Sequence, residues 1–188
     1  TAYEFPQEDF FGLGQSSHVD DRTDYALNGS EVGADVRWRA SRHVEVWGGL
    51  ADMRPRVREG TDAAYPDTGE VFDPEALAGF TEQPRYLRGD VSLAFDWRDN
   101  PRHPHAGGRY RIGFSAFDDR DLNAYTFQRV DVEVQQYVPL PDQYRTLALR
   151  AAATFTNAAE GDEVPFYAQP SLGGSQTLRG FREFRFRD

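Results

Sequence analysis

The chain has 188 residues, room for one sizeable domain and short for two. Its 31 acidic against 21 basic residues leave a net charge of -10, which argues against nucleic-acid binding, because a basic stripe is needed to replace phosphate counterions. The absence of Cys excludes a disulfide scaffold, thiol catalysis and thiolate metal sites. No apolar run approaches the ~18 residues of a membrane helix. Membrane strands remain open, since only alternate residues of such a strand face lipid. All 21 Lys-or-Arg positions are Arg, a bias that carries no functional argument. The opening Thr1-Ala2-Tyr3-Glu4 has neither a charged nor an apolar leader region, so no signal peptide is expected in this stretch.

Period-two alternation recurs along the chain, and long helical periodicity does not. In the second half of 22–40, Val32, Ala34, Val36 and Trp38 oppose Gly33, Asp35, Arg37 and Arg39. After a short link, a strand is predicted over 43–57, with Val44 and Val46 opposing Glu45 and Trp47. The span 58–83 is broken by Gly60, Pro66, Gly69, Pro74 and Gly79; it reads as one long loop with a helical turn at 74–78. The clearest pattern lies in 84–98, where Val91, Leu93, Phe95 and Trp97 share one face and Asp90, Ser92, Ala94, Asp96 and Arg98 the other. A turn rich in Pro and Gly follows over 99–107.

The span 108–117 then sets Tyr110, Ile112, Phe114 and Ala116 against Arg109, Arg111, Gly113 and Ser115. Past an acidic tip at 118–123, a strand over 124–138 places Val130, Val132, Val134 and Val138 opposite Arg129, Asp131, Glu133, Gln135 and Tyr137. A turn at 139–143 precedes a strand over 144–157 that carries Leu147, Leu149, Ala151, Ala153 and Phe155 on one side. A second long loop covers 158–180, and Phe184 and Phe186 alternate with Glu183, Arg185 and Arg187 to begin a seventh strand.

Soluble strands average about 5–6 residues, whereas a tilted membrane strand needs about 9–11, and several of these are of the longer kind. Short connections at one end and longer ones at the other describe an antiparallel up-and-down transmembrane β-barrel, here partial, with about seven strands. The long loops around Asp67 and Gly161 are then expected outside the cell and the turn at Pro104 on the periplasmic side. In that barrel Asp90, Asp96, Arg98, Arg129, Asp131 and Glu133 face the lumen, as do Arg109, Arg111 and Arg150. In a soluble β-sandwich or barrel that binds a ligand, the same face is a solvated one. Periodicity alone does not separate these two folds.

Three motifs carry a resemblance. The stretch Pro170-Ser171-Leu172-Gly173-Gly174-Ser175-Gln176-Thr177-Leu178-Arg179-Gly180-Phe181 resembles the Gly-Gly…Arg-Gly-Phe signature of the BamA/TamA family of bacterial surface-antigen barrels. Phe95-Asp96-Trp97-Arg98-Asp99-Asn100-Pro101, with Pro104 and Gly107, resembles a periplasmic turn of that family, and Val138-Pro139-Leu140 a later one. Phe10-Phe11-Gly12-Leu13-Gly14 is also similar to these barrels.

The resemblance implies assembly or insertion of outer-membrane proteins in the bacterial outer membrane, with no cofactor and no bond chemistry. Its partners would be membrane lipid, unfolded outer-membrane proteins and accessory subunits. It further implies that the loop with Gly173, Gly174, Leu178, Arg179, Gly180 and Phe181 folds into the lumen. Such barrels have about sixteen strands and follow periplasmic modules. The chain is therefore expected to be a single partial barrel domain over 1–188, without those modules and without the first and last strands. The partner acid that the family gives to Arg179 lies on a later strand, so here Arg179 is expected to be unpaired or to borrow Asp131 or Glu133. A two-partner secretion pore and a barrel anchoring a secreted domain are the alternatives within the fold.

Other residue groups carry less. His103 and His105 lack the third ligand a catalytic zinc site needs. Asp20-Asp21 and Asp118-Asp119 lack calcium-loop spacing and read as solvated loop acids. Gly107-Gly108-Arg109 and Gly12-Leu13-Gly14 fail the nucleotide-binding patterns, and no Gly-x-Ser-x-Gly nucleophile motif occurs. Nothing here points to an enzyme.

Overall fold

The computed structural model describes residues 1–15, 17–141 and 145–188. Seven strands pair antiparallel with their sequence neighbours: β1 (Ala2–Phe10), β2 (Thr23–Arg39), β3 (Val44–Glu59), β4 (Tyr86–Asp96), β5 (Gly107–Asp119), β6 (Phe127–Pro139) and β7 (Thr146–Ala158). Together they form a half-barrel, the all-β transmembrane-barrel class expected from the alternation.

The registers put every alternating set on a common face. Val36 lies opposite Gly48, Gly48 opposite Val91, Val91 opposite Phe114, Phe114 opposite Val130 and Val130 opposite Phe155. This apolar face is bare: Val32, Val36, Trp38, Leu50, Val91, Leu93, Phe95, Ile112, Leu149 and Phe155 are all exposed. Apolar surface on this scale needs a non-aqueous neighbour. The opposite face holds the charges that lie within this apolar span, and the folded-back loops.

Two elements differ from the expectation. The strand β1 is not among the expected strands: Pro6 sits in a bulge between Phe5 and Glu8 that shifts the pairing with β2 and breaks the alternation. Proline lacks the ladder N–H and is tolerated at such irregularities. The expected seventh strand at the end of the chain is not part of the sheet. Only Phe186–Arg187 (β9) is extended there, paired with Ser171–Leu172 (β8), and Phe184 at φ 56° turns the chain just before it. The predicted strand start at Tyr144 and the turn residues Asp142 and Gln143 lie outside the described residues; β7 begins at Thr146.

The strands β2 and β3 run beyond what a bilayer requires, and at that end the 60–83 loop folds back against the polar face. Asp67 caps a single helical turn, α1 (Thr68–Val71), by accepting from the Gly69 N–H at 2.8 Å. Thr68 is fully buried, hydrogen-bonded to the Thr23 hydroxyl at 2.9 Å and donating to the Asp24 carbonyl at 3.0 Å. The helical turn expected at 74–78 is a 3-10 turn over Pro74–Ala76, capped by Asp73. Here the aromatic core assembles. Phe10, Tyr25, Val57, Leu77 and Phe166 form one cluster, and Tyr86, Tyr125 and Phe127 another.

Candidate functional site

All six lumen candidates lie on the loop-bearing face, Arg98 just past the end of β4. Most are paired within their own strand. Residues i and i+2 of a strand share a face about 7 Å apart, within reach of an arginine. Arg129 donates to both carboxylate oxygens of Asp131, with Nε–Oδ2 and Nη2–Oδ1 both at 3.0 Å, and the Thr154 hydroxyl adds a bond to Asp131 at 2.7 Å. Arg98 makes a two-bonded contact with Asp96 at 2.9 and 2.6 Å. Arg88 reaches Asp90 at 2.7 Å and Glu31 at 2.8 Å, and Ser115 donates to Asp90 at 2.7 Å. Glu133 accepts from Arg150 at 2.7 Å and Gln135 at 3.0 Å. The result is a charged wall whose acids are already committed to arginines.

The segment after β7 crosses this wall. Its first anchor is Phe166, 0% exposed, whose ring meets those of Phe10, Tyr25 and Phe80 at 5.3, 5.0 and 5.8 Å. The Phe166 N–H donates to the Ala78 carbonyl at 2.9 Å, so the two long loops hold one another. Arg187, 4% exposed, caps this core. Its Nη1 donates to the Phe166 carbonyl at 2.8 Å while the rings of Phe10, Tyr25, Phe166 and Phe184 surround its guanidinium at 5.3–6.0 Å. Ring faces attract a cation at such distances.

The Gly-Gly…Arg-Gly-Phe stretch forms a closed turn beyond β8. Thr177 Oγ1 accepts from the Gly173 N–H at 2.8 Å and donates to the Gly173 carbonyl at 2.5 Å; the Gly174 N–H donates to the Phe181 carbonyl at 3.0 Å. Gly173 has φ +138°, and a Cβ there would overlap the Arg182 carbonyl oxygen, so glycine is required. Phe181 meets the ring of Phe186 at 5.2 Å and stays half exposed. Leu178 is also exposed. Arg179 donates to the Ser175 carbonyl at 3.3 Å and makes no ion pair among the described residues. Neither Asp131 nor Glu133 is borrowed. Among the described residues one side chain hydrogen-bonds the turn to the wall: Arg150 of β7 donates to Glu133 through Nε and to the Gln176 carbonyl through Nη1, at 2.7 Å each.

The second motif is a self-capped turn at the opposite end. Asp99 Oδ1 accepts backbone N–H bonds from Asn100, His105 and Ala106 at 2.8, 3.0 and 3.2 Å. Those bonds, with Ala106 first, hold its carboxyl below the ordinary carboxylate range. The Asn100 side chain accepts from Arg102 and His103. Gly107, at φ +95°, packs where a Cβ would strike the Trp97 carbonyl. The His103 and His105 rings meet edge to face at 4.5 Å, and among the described residues no three groups are placed to hold a metal.

Some contributors had no sequence signal. Arg150 reads as one charge on a polar face, and Arg187 as part of an alternation of which only Phe186–Arg187 is extended, outside the seven-stranded sheet. Phe166 lies in a loop, where apolar residues have no period to betray their burial. Asp119, read as a solvated acid, is 2% exposed and caps the β5–β6 turn by accepting from Asp121, Leu122 and Ala124.

Comparison with known proteins agrees with the geometry. The structure is similar to the crystal structure of BamA from Haemophilus ducreyi lacking POTRA domains 1-3, with a TM-score of 0.62 over 97% of this chain at 15% identity. At that identity the likeness speaks for the fold, and the chain spans 37% of the length of that protein. The family model for the Omp85 superfamily domain matches residues 15–188, covering six of the seven sheet strands and the whole closing loop. By that match, the chain belongs to the Omp85 superfamily.

Proposed function

We propose that this segment is part of a barrel that assembles proteins into the bacterial outer membrane, in the manner of BamA and TamA. In this role the loop bearing Arg179 braces the lumen, Gly173, Gly174 and Gly180 shape its turns, and Leu178 and Phe181 seat it. The long-loop end faces the cell exterior and the Asp99 turn faces the periplasm. Superfamily membership supports a role in outer-membrane protein insertion or secretion in general. The observation that carries the finer reading is the position of the motif turn over the charged wall, joined to it through Arg150.

The physical rationale is backbone desolvation. Unpaired amides in hydrocarbon cost several kcal/mol each, so a client strand must pair before it meets lipid. A barrel that lends strand edges lowers that cost without cofactor or bond chemistry, and its clients are unfolded outer-membrane proteins. Accessory subunits belong to the same proposal.

Arg179 tests it. In the full-length protein its guanidinium has an acid partner beyond this segment, and breaking a well-buried pair costs about 3–5 kcal/mol. Arg179→Ala should abolish assembly while the barrel still inserts, and Arg179→Lys should rescue only in part, because an ammonium cannot make a planar two-bonded contact. Normal assembly by Arg179→Ala, with unchanged protease access to the loop, rejects the brace. Loss of export of a single secreted partner, with general assembly intact, points instead to a secretion pore.

A further inference from the structure

Several arginines of the sheet already hold an acid and a few do not. On the loop-bearing face Arg88, Arg98, Arg129 and Arg150 each hold a carboxylate within 3.0 Å. On the apolar face, β3 carries Val44, Val46, Gly48 and Leu50 outward and then, in the same register, Asp52, Arg54, Arg56 and Arg58. Asp52 is taken up by Arg85 at 2.7 Å and Arg54 at 3.3 Å. Arg56 and Arg58 are exposed and make neither an ion pair nor a side-chain hydrogen bond among the described residues. Across β2 they look onto Asn28 and Ala26, and Arg54 onto Ser30, none of which brings a counter-charge.

Depth makes the row informative. Val32 and Leu87 flank Asp52 in register and are exposed on the apolar face, so the hydrocarbon edge falls at Asp52. Arg54 stands immediately above that edge, and the row continues along the strand for about 13 Å to Arg58. With a strand tilt of ~40°, this is about 10 Å of height. A phospholipid headgroup layer is only ~5–8 Å thick on each side of a bilayer. The row outreaches it, yet it fits a headgroup that carries phosphates on several sugar units. Arginines at this level meet phosphate oxygens before they meet bulk water, and guanidinium binds phosphate with two parallel bonds.

We propose that Arg54, Arg56 and Arg58 form a binding site for the phosphorylated headgroup of an outer-leaflet glycolipid. The site rests on the outer-membrane reading above and on the long-loop end facing outward. It serves to fix the depth and rotation of this side of the barrel in its leaflet.

The test uses the full-length protein, exchanged into nanodiscs of neutral lipid doped with either a diphosphorylated glycolipid or phosphatidylglycerol, with retained lipids counted by native mass spectrometry. Wild type should retain the glycolipid in preference to phosphatidylglycerol. Arg54→Gln/Arg56→Gln/Arg58→Gln should lower that retention about tenfold or more, since each arginine near an anionic surface contributes roughly a factor of five. Arg102→Gln, in the turn at the other end, should retain wild-type binding. Heat-modifiable migration on gels verifies that each variant is folded, and single Gln variants replace the triple one if it is not. Equal retention by wild type and folded variants overturns the site. Equal retention of the two lipids by wild type overturns the glycolipid assignment. A tag in the 61–67 loop that stays hidden on intact cells overturns it too, by placing the row in the inner leaflet. None of these outcomes depends on Arg179→Ala, so failure of the lipid site and failure of the assembly brace are read separately.

Discussion

The two halves of the closing segment are held by opposite means. The half around Phe166 and Arg187 is buried among aromatic rings, with the Arg187 guanidinium hydrogen-bonded to the Phe166 carbonyl inside that core. The half that carries Gly173 to Phe181 is mostly exposed, folded by glycine geometry and its own hydrogen bonds, and joined to the wall through Arg150. Burial fixes where the loop is; backbone conformation fixes what shape it presents. A brace that must meet a partner elsewhere in a complete barrel needs the second property more than the first.

The largest effect should come from the anchor. Phe166→Ala removes a fully buried ring from a cluster that includes Phe10, Tyr25 and Phe80, at a cost of about 3–5 kcal/mol. Because the Phe166 ring also packs against Leu77 and Phe80 of the 60–83 loop, both long loops should loosen together. Limited proteolysis of the folded protein should then cut within 60–83 as well as within 159–182. Cutting in the closing segment alone would show that the two loops are independent.

That anchor marks the boundary of what could be read from sequence. The sheet was legible in β2 to β7 because one face of each strand is apolar against a polar one, and period two survives in any register that keeps them apart. β1 was not, since Pro6 and the bulge break the period and Glu4, Glu8 and Asp9 dilute it. The Phe/Arg alternation at 184–187 imitates a strand, but Phe184 leaves the extended region. The acids and arginines of the wall were legible as a face, and their pairing at i and i+2 follows from it. The docking of Phe166 and the cap made by Arg187 were not legible, because their partners lie far away along the chain and the loops that bring them there have no period.

A smaller effect should separate the glycines of the motif half. Gly173→Ala places a Cβ against the Arg182 carbonyl at a backbone angle that L residues avoid, so the turn must open at a cost of about 3 kcal/mol. Gly180 has φ +95° but open space around it, so Gly180→Ala carries only the conformational penalty, about 1 kcal/mol. Protease sensitivity confined to 173–182 should rise strongly for the first and weakly for the second, with the Phe166 anchor intact in both. Equal sensitivity would mean that the close approach to Arg182 does not shape the turn.

The smallest effect is a pH dependence at the far end of the sheet, where no aromatic core contributes and a turn is held by one carboxylate. Asp99 is exposed, yet the amides of Ala106, His105 and Asn100 all point at its Oδ1 and lower its proton affinity below that of an ordinary Asp. A carboxyl whose affinity is lowered by folding contributes stability that is present above its unfolded value, near ~3.9, and is lost as pH falls through the lower folded one. Between neutrality and about pH 4 the turn should therefore be unchanged, and below that it should fray. Hydrogen exchange of the 99–107 segment, corrected for the intrinsic rate, should accelerate only in that acid window. Asp99→Asn keeps an acceptor oxygen but not the charge, so its turn should exchange somewhat faster at neutral pH and lose the acid step. If Asp99→Asn keeps the acid step, the titrating group lies elsewhere, and the turn owes its shape to Gly107 and the Asn100 side chain.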